Sequence, residues 1–244
     1  MKIIHVADLH LDSKIESSLS PEQTRERRLE MLETFSRMVA YAEEQKVSVI
    51  LISGDLFDKP HIRKSARRRV FEEIVQHPDI DFLYLKGNHG KNDFLSDIPE
   101  EELPKNLRMF EEEWTTYEYG NIVISGREIT EENVKTMSVN LILDESKFNI
   151  VTLHGQEPGY VGRDRTHSIQ LSQFKGKFID YLALGHVHSY KFGRLDERGV
   201  CCYPGCLEGR NFHECGEKGF VLLDIDEDSW QLDAAFVPFA SRQF

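Results

Sequence analysis

The sequence lacks the apolar segments that carry a protein into or across a membrane. No apolar run approaches the length needed to span a bilayer. The first residues, Met1-Lys2-Ile3-Ile4, predict a strand rather than the basic and apolar regions of a signal peptide. We therefore expect a cytoplasmic protein with no membrane partner.

Cysteine is scarce, and the cysteines present do not have the spacing of a zinc motif. The chain has four, none of them in a CxxC arrangement, and they are Cys201, Cys202, Cys206 and Cys215. A zinc cluster at these positions is disfavoured. Reduced, partly buried thiols in a cytosolic protein are the better interpretation.

Basic residues are too few to coat nucleic acid. The 30 lysines and arginines face 42 acidic residues, which gives a net charge of −12. This balance argues against a protein that binds duplex nucleic acid through a broad basic face. It does not exclude a nuclease, because a carboxylate-lined metal site adds negative charge that bound cations offset.

Internal repeats, low-complexity tracts and clear linkers are also missing. The 244 residues are enough to bury a sizeable core. We therefore predict one catalytic domain over residues 1–244.

The pattern of apolar residues predicts an α/β fold. In the first half, strands alternate with helices whose apolar residues recur every three or four positions. In the second half, short strands and turns dominate. This order predicts two mixed β-sheets packed face to face with flanking helices. The predicted strands are 2–7, 47–53, 80–85, short antiparallel strands within 107–125, 148–153, 180–184 and a β meander from 190 to 237; the predicted helices are 24–44 and 62–76.

Five short polar motifs follow predicted apolar strands. Carboxyl ends of strands are where open α/β sheets bind their ligands. The motifs supply Asp, Asn and His side chains, whose oxygen and nitrogen donors suit manganese, iron or zinc. In chain order they are Asp8-Leu9-His10, Gly54-Asp55-Leu56-Phe57-Asp58, Gly87-Asn88-His89, His154-Gly155 and Gly185-His186-Val187-His188.

The spacing within these motifs suits two metals. Asp8 and His10 point the same way if the strand end stays extended. Gly54 lets the backbone turn sharply before Asp55, whose two oxygens can bridge two cations. Two metals with a bridging carboxylate and a bridging water or hydroxide give the geometry for in-line attack on phosphorus.

Each motif alone also has a structural explanation. Asp55 and Asp58 are typical of helix caps and turns. A single histidine such as His154 is more often hydrogen-bonded in a core than bound to a metal. Five such motifs in order, with complementary donors, favour the metal centre.

The same residues carry a family resemblance. Asp-x-His, Gly-Asp-x-x-Asp, Gly-Asn-His, His-Gly and Gly-His-x-His resemble the signature of the calcineurin-like metallophosphoesterase superfamily. The Gly-Asp-Leu-Phe-Asp block and Tyr203-Pro204-Gly205 are most similar to the bacterial DNA repair exonuclease branch, that of the nuclease component of the SbcCD complex. The resemblance implies a four-layer α/β/β/α fold and two divalent metal ions, Mn²⁺ first, with Fe, Zn or Mg as other choices.

The resemblance also implies a role for each site residue. One metal would be held by Asp8, His10, Asp55 and His188, and the other by Asp55, Asn88, His154 and His186. His89 would be the general acid that protonates the leaving oxygen, oriented by Asp58. An imidazole held by a carboxylate can deliver a proton near neutral pH.

Two features depart from the branch. Gly90 follows Gly-Asn-His, where the branch commonly has an acidic residue, so Asp58 and Asp93 become candidates for that support. The chain also reaches Phe244 soon after the catalytic core, so we expect no capping domain, and the sequence does not support an ATPase partner.

We therefore predict a metal-dependent phosphoesterase that hydrolyses phosphodiester bonds, with a compact DNA exonuclease as a specific form. Arg163 and Arg165, in a loop between two site-bearing strands, are candidate contacts for substrate phosphate. The basic residues that begin at Arg63 are at least as well explained by a solvated helix face. A phosphomonoesterase with the same metals is the alternative. A non-catalytic scaffold is disfavoured because all seven ligands and His89 are present.

Overall fold

The computed structural model describes residues 1–13, 15, 19–58, 62–87, 95, 98–158 and 168–243. Two α-helices and twelve strands lie within these ranges, together with short 3-10 turns at Glu100–Glu102 and Leu171–Phe174. In chain order the elements are β1 (Lys2–Val6), α1 (Pro21–Glu44), β2 (Val49–Ser53), α2 (Lys64–Gln76), β3 (Asp81–Leu85), β4 (Leu107–Met109), β5 (Thr115–Tyr119), β6 (Ile122–Gly126), β7 (Phe148–His154), β8 (Tyr181–Gly185), β9 (Lys191–Arg194), β10 (Val200–Tyr203), β11 (Gly219–Ile225) and β12 (Leu232–Pro238).

The strands form two mixed six-stranded sheets. The first has the order β12-β11-β1-β2-β3-β4, and the second has the order β5-β6-β7-β8-β10-β9. In the first sheet β1 to β4 run parallel and β11 and β12 are antiparallel additions. In the second, β6, β7, β8 and β10 run parallel, with β5 and β9 antiparallel at the edges. Both sheets therefore carry a parallel centre.

The two sheets pack face to face over an apolar core. Side chains at alternate positions of the central strands point into this layer, as the two-residue period of a strand requires. Val49 and Leu51 of β2 meet Ile150 of β7 and Ala183 of β8 in this buried cluster. The predicted pair of mixed sheets is confirmed.

The outer faces of the two sheets are covered differently. Helices α1 and α2 bury Phe35, Met38 and Val70 against the first sheet. The second sheet is covered by the turns of residues 129–143 and by the 3-10 turn that contains Phe174. In the described part of the chain, the fourth layer is thus built from turns rather than from an α-helix.

Helix α1 starts three residues earlier than the apolar pattern predicted. Ser20 caps the helix by accepting a hydrogen bond from the backbone N–H of Gln23, and the Gln23 side chain accepts one from the backbone N–H of Ser20. Pro21 occupies the first turn, where its missing N–H costs nothing. This reciprocal capping box fixes the start of the helix.

The predicted β meander at the C-terminal end of the sequence is wrong. Its strands form two antiparallel hairpins, β9-β10 and β11-β12, but β10 pairs with β8 whereas β11 pairs with β1. The segment between β10 and β11 therefore crosses from one sheet to the other. Within 107–125, β4 likewise pairs parallel with β3 instead of joining the β5-β6 hairpin. Neither helix is long and apolar enough to cross a membrane, among the residues that were searched.

Candidate metal centre

Four predicted ligands lie at adjacent strand ends of the two sheets. Asp8 and Asp55 follow β1 and β2 of the first sheet, whereas His154 ends β7 and His186 follows β8 of the second. Because both sheets have a parallel centre, the carboxyl ends of these strands meet on one side of the molecule. His188 comes two residues after His186.

The backbone that presents Asp8 and His10 is turned, not extended. Asp8 has φ of 51° and His10 has φ of 44°, in the left-handed region that non-glycine residues rarely adopt. Their N–H groups donate to the carbonyls of Gly54 and Asp55 at 3.1 and 2.9 Å. This corrects the expectation of an extended strand end: the hydrogen bonds to the segment after β2 hold the turn that brings both side chains to the centre.

Asp8, His10 and His188 form a first group of metal donors. Nε2 of His188 lies 3.7 Å from Oδ1 of Asp8, and Nε2 of His10 lies 4.0 Å from the same oxygen. The two Nε2 atoms are 3.1 Å apart. Both nitrogens are therefore close enough to bind one cation at about 2.1 Å.

Asp8, Asp55 and His154 form a second group that shares Asp8 with the first. Oδ2 of Asp55 lies 3.3 Å from Nε2 of His154 and 3.9 Å from Nε2 of His10. Asp55 thus stands between the two histidines. His186 joins the centre through its backbone N–H, which donates to the two oxygens of Asp8 at 3.1 and 2.9 Å.

Two glycines allow the strand ends to approach this closely. Gly54 has φ of 100°, and a Cβ at this position would lie 2.0 Å from Nδ1 of His154. A Cβ at Gly185 would lie 1.8 Å from the carbonyl oxygen of Ser53. That same carbonyl accepts a hydrogen bond from Nδ1 of His154 at 2.8 Å. Any larger residue would push His154 out of the centre.

The electrostatics of the centre favour the binding of positive charge. Burial alone would lower the pKa of His154, but the carboxylate of Asp55, with help from Asp8, raises it to about 9. Asp8 and Asp55 are 1% and 2% exposed. Two carboxylates buried together are costly unless cations neutralise them. The oxygen and nitrogen donors present therefore fit divalent metal ions.

Asp58 contacts the first donor group from behind. Its Oδ1 accepts a hydrogen bond from Nδ1 of His10, and its Oδ2 accepts one from Arg210 at 3.3 Å. Its predicted partner His89 lies outside the described residues, as do Asn88, Arg163 and Arg165. The roles of these residues stay predictions.

Glu128 is a carboxylate near the site that no sequence motif marks. Burial raises its pKa to about 7, although hydrogen bonds from the backbone N–H groups of Lys86 and Gly87 oppose that shift. Through these bonds Glu128 holds the start of the Gly87-Asn88-His89 motif. It follows β6, far from the other motifs along the chain, so only the folded structure identifies it.

Arg210 and Glu214 were also missed. Both belong to the segment that crosses between the sheets, and both contact the first donor group: Glu214 accepts from Nδ1 of His188 at 2.7 Å. Burial would raise the pKa of Glu214, but hydrogen bonds from His188 and Arg210 hold it well below its usual value. Only their spatial position identifies these two residues.

The basic face of α2 is paired, as one of the two interpretations predicted. Arg68 donates to Glu72 at 2.6 Å, and Arg69 lies 3.2 Å from Glu73. Arg63, which precedes the helix, binds Asp12 through its backbone N–H at 2.7 Å. These contacts explain the residues without a substrate.

Two mixed sheets that gather carboxylates and histidines at their strand ends define a metal-dependent hydrolase. The chain belongs to the calcineurin-like phosphoesterase family, whose model matches residues 1–190. The family uses divalent metals, and the two donor groups described above are its candidate ligands here.

Individual proteins show the same relationship. The chain is similar to the uncharacterized metallophosphoesterase YhaO of Bacillus subtilis, at 29% identity over 92% of this chain and 57% of that protein. It is 23% identical to the DNA double-strand break repair protein Mre11 of Methanopyrus kandleri, over 93% and 54%. It is 24% identical to a component of the nuclease SbcCD of Staphylococcus epidermidis, over 98% and 69%. The chain thus spans little more than half the length of the first two.

A solved structure supports the fold. The crystal structure of TT1561 of Thermus thermophilus superposes with a TM-score of 0.59, at 15% sequence identity. The superposition covers 96% of this chain and 98% of TT1561. The two chains therefore share the two-sheet architecture over nearly their whole lengths.

Proposed function

We propose that this chain is a phosphodiesterase that uses two divalent metal ions, with Mn²⁺ as the preferred metal and Fe, Zn or Mg as other choices. One ion would be held by Asp8, His10, Asp55 and His188, and the other by Asp55, Asn88, His154 and His186. Residues 1–244 would form one catalytic domain.

The position of Asp55 carries this proposal. Its Oδ2 lies within 4 Å of a histidine nitrogen on each side, one from each donor group. A carboxylate has two oxygens, so one residue at this place can contact two cations. In such a centre the bound cations supply charge neutralisation at phosphate and lower the pKa of water.

The protein groups would supply proton transfer and orientation. His89 is proposed to protonate the leaving oxygen, which requires an imidazole within hydrogen-bond reach of that oxygen. Asp58 is proposed to support it. Asp58 already binds His10, so one carboxylate would connect the acid to the first donor group.

The preference for diesters rests on the relatives. Mre11 is a DNA double-strand break repair protein, and the SbcCD component belongs to a nuclease. We therefore propose DNA as the substrate class, with Arg163 and Arg165 contacting its phosphates. The net charge of −12 favours single strands and short ends over extended duplex, which needs many phosphate contacts.

We further propose that the protein works in the cytoplasm. Its cysteines are all free thiols, which is usual where the surroundings are reducing.

Metal reloading tests the proposed function. Protein stripped with chelator is reloaded with Mn²⁺, Fe²⁺, Zn²⁺ or Mg²⁺, and metal content is measured beside hydrolysis of bis-p-nitrophenyl phosphate, p-nitrophenyl phosphate, and single- and double-stranded DNA. We expect about two metals per chain and the fastest diester cleavage with Mn²⁺. Asp55→Asn serves as the inactive control. Cleavage of monoesters alone would support the phosphomonoesterase alternative, and activity retained in excess chelator would rule out the metal mechanism.

A further inference from the structure

We propose that Arg210 and Glu214 are positioning residues of the metal centre. Together with Asp58 they close a ring of hydrogen bonds that fixes His10 and His188. The inference rests on the proposed function, because the two histidines are its candidate ligands. Both positioning residues lie beyond residues 1–190, the part that the family model matches.

The first link of the ring orients His188. Its Nδ1 donates to Oε1 of Glu214 at 2.7 Å, so that Nδ1 carries the proton. The other ring nitrogen, Nε2, is then free of a proton and faces Asp8 at 3.7 Å. A carboxylate behind a histidine sets the tautomer and the ring orientation that metal binding needs.

The second link orients His10 in the same way. Its Nδ1 donates to Oδ1 of Asp58, which leaves Nε2 directed at Nε2 of His188, 3.1 Å away. Two carboxylates therefore hold two histidines from opposite sides. Their Nε2 atoms converge on one point.

Arg210 connects the two carboxylates. Its Nη1 donates to Oδ2 of Asp58 at 3.3 Å, and its Nη2 donates to Oε1 of Glu214 at 2.7 Å. The backbone N–H of Arg210 also donates to Oε2 of Glu214 at 2.7 Å. A planar guanidinium can hold two carboxylates at a fixed angle, whereas an ammonium is a point charge.

The segment that carries Arg210 and Glu214 is held firmly against the centre. Nζ of the buried Lys218 donates to the carbonyl oxygen of His188 at 2.7 Å. At the other end, Glu208 accepts hydrogen bonds from Arg27 and from Thr34 of α1, the latter at 2.6 Å. The ring is therefore anchored to both the helix and the second sheet.

A separate metal site at His188, Cys206 and Glu214 is a weaker interpretation of the same contacts. These three side chains are also close enough to form a donor group. However, the Cys206 thiol donates to the carbonyl of His188 at 3.6 Å, and burial raises its pKa to about 12. The thiol stays protonated, and the Nδ1 proton of His188 occupies the remaining donor. The arrangement serves orientation, not a further ion.

Manganese binding tests the ring. Chelator-stripped protein is titrated with Mn²⁺, and free Mn²⁺ is followed by electron paramagnetic resonance. Glu214→Gln should raise the Kd for one of the two ions by roughly 10–100-fold and leave the other nearly unchanged. Arg210→Lys should act in the same direction, and adding it to Glu214→Gln should cause little further loss because both act through one ring.

Two matched controls accompany these variants. Glu217→Gln removes the same charge from an exposed position of the same segment. Arg198→Lys changes another arginine that binds a carboxylate, that of Asp180, and whose side chain is similarly shielded, at 27% exposed against 17% for Arg210. Neither control should change either Kd. An equal weakening of both ions, or no weakening in folded Glu214→Gln, would overturn the proposal.

A second readout does not depend on metal. In ¹⁵N-labelled, metal-free protein, long-range ¹H–¹⁵N correlations report which nitrogen of His188 carries the proton. We expect Nδ1 protonation in the wild type and a mixture of tautomers in Glu214→Ala. An unchanged tautomer in that variant would overturn the ring. If the wild type binds no Mn²⁺, the proposed function fails, and the tautomer result still decides whether Glu214 orients His188.

Discussion

Asp55 and His154 come from different sheets, yet Oδ2 of Asp55 lies 3.3 Å from Nε2 of His154. The contact joins the carboxyl end of β2 to that of β7. It also explains why the pKa of His154 is raised to about 9 although burial opposes that shift. In metal-free protein a proton on His154 thus supplies charge that a cation would otherwise provide.

Replacing Asp55 should separate metal-dependent stability from the stability of the fold. In Asp55→Asn, one of two neighbouring buried carboxylates becomes neutral, so we expect the metal-free Tm to stay equal or to rise. Excess Mn²⁺ should raise the Tm of the wild type, since a ligand at about 100 times its Kd adds about 2.7 kcal/mol. The variant should show almost no such increase. Thermal unfolding with and without Mn²⁺ checks this, and an equal increase in both proteins would remove Asp55 from the ligand set.

Replacing His89 should slow the reaction without emptying the centre. We expect His89→Ala to keep its metal content and to lose roughly 10²–10⁴-fold in kcat, the range for a general acid. The loss should shrink for esters whose leaving group is already acidic, because they need less protonation. His213→Ala, at an exposed position, is the control. A loss of metal in His89→Ala would instead make this residue a ligand.

Local patterns predicted the strand ends of the centre well, because each motif directly follows its strand. Periodicity likewise placed β1, β2, β3 and both helices close to their observed bounds. The start of α1 was missed although its capping box is a local signal. The φ angles of Asp8 and His10 could not be predicted, since hydrogen bonds to the neighbouring segment impose them.

Long-range pairing was beyond the sequence. Nothing near β10 or β11 indicates that these strands join different sheets, because each is chosen by partners far away along the chain. The crossing segment brings Arg210 and Glu214 to the centre only as a result of that choice. Side chains that act from behind a ligand carry no motif of their own.

Arg163 and Arg165 should matter more for a polynucleotide than for a small diester. We expect the double variant Arg163→Ala/Arg165→Ala to raise KM for single-stranded DNA more than for bis-p-nitrophenyl phosphate, since only the longer substrate can use both contacts. Loss of two phosphate contacts should also reduce the salt dependence of DNA binding, by about 0.7 in log–log slope per contact. Arg68→Ala, which removes an arginine already paired with Glu72, is the control. Equal effects on both substrates would assign the arginines to the reacting phosphate.

His5 should make the protein sensitive to mild acid. It is fully buried between the sheets, with Nδ1 2.9 Å from the hydroxyl of Tyr181. Burial lowers its pKa to about 3, although a hydrogen bond with the backbone of Leu184 opposes the shift. Below the ordinary value of 6.5 the unfolded chain binds a proton that the folded chain does not. The contribution of His5 to stability is therefore present above pH 6.5 and is lost as the pH falls towards 3.

Urea unfolding of chelator-treated protein measures this effect. Between pH 7.5 and pH 5.0 the free energy of unfolding of the wild type should fall by about 2 kcal/mol more than that of His5→Gln, because each pH unit below 6.5 costs about 1.4 kcal/mol. Other groups titrate in both proteins and cancel in the difference. Tyr181→Phe keeps His5 buried, so it should retain the extra acid sensitivity of the wild type. A difference between wild type and His5→Gln that does not change with pH would show that His5 is protonated within the fold.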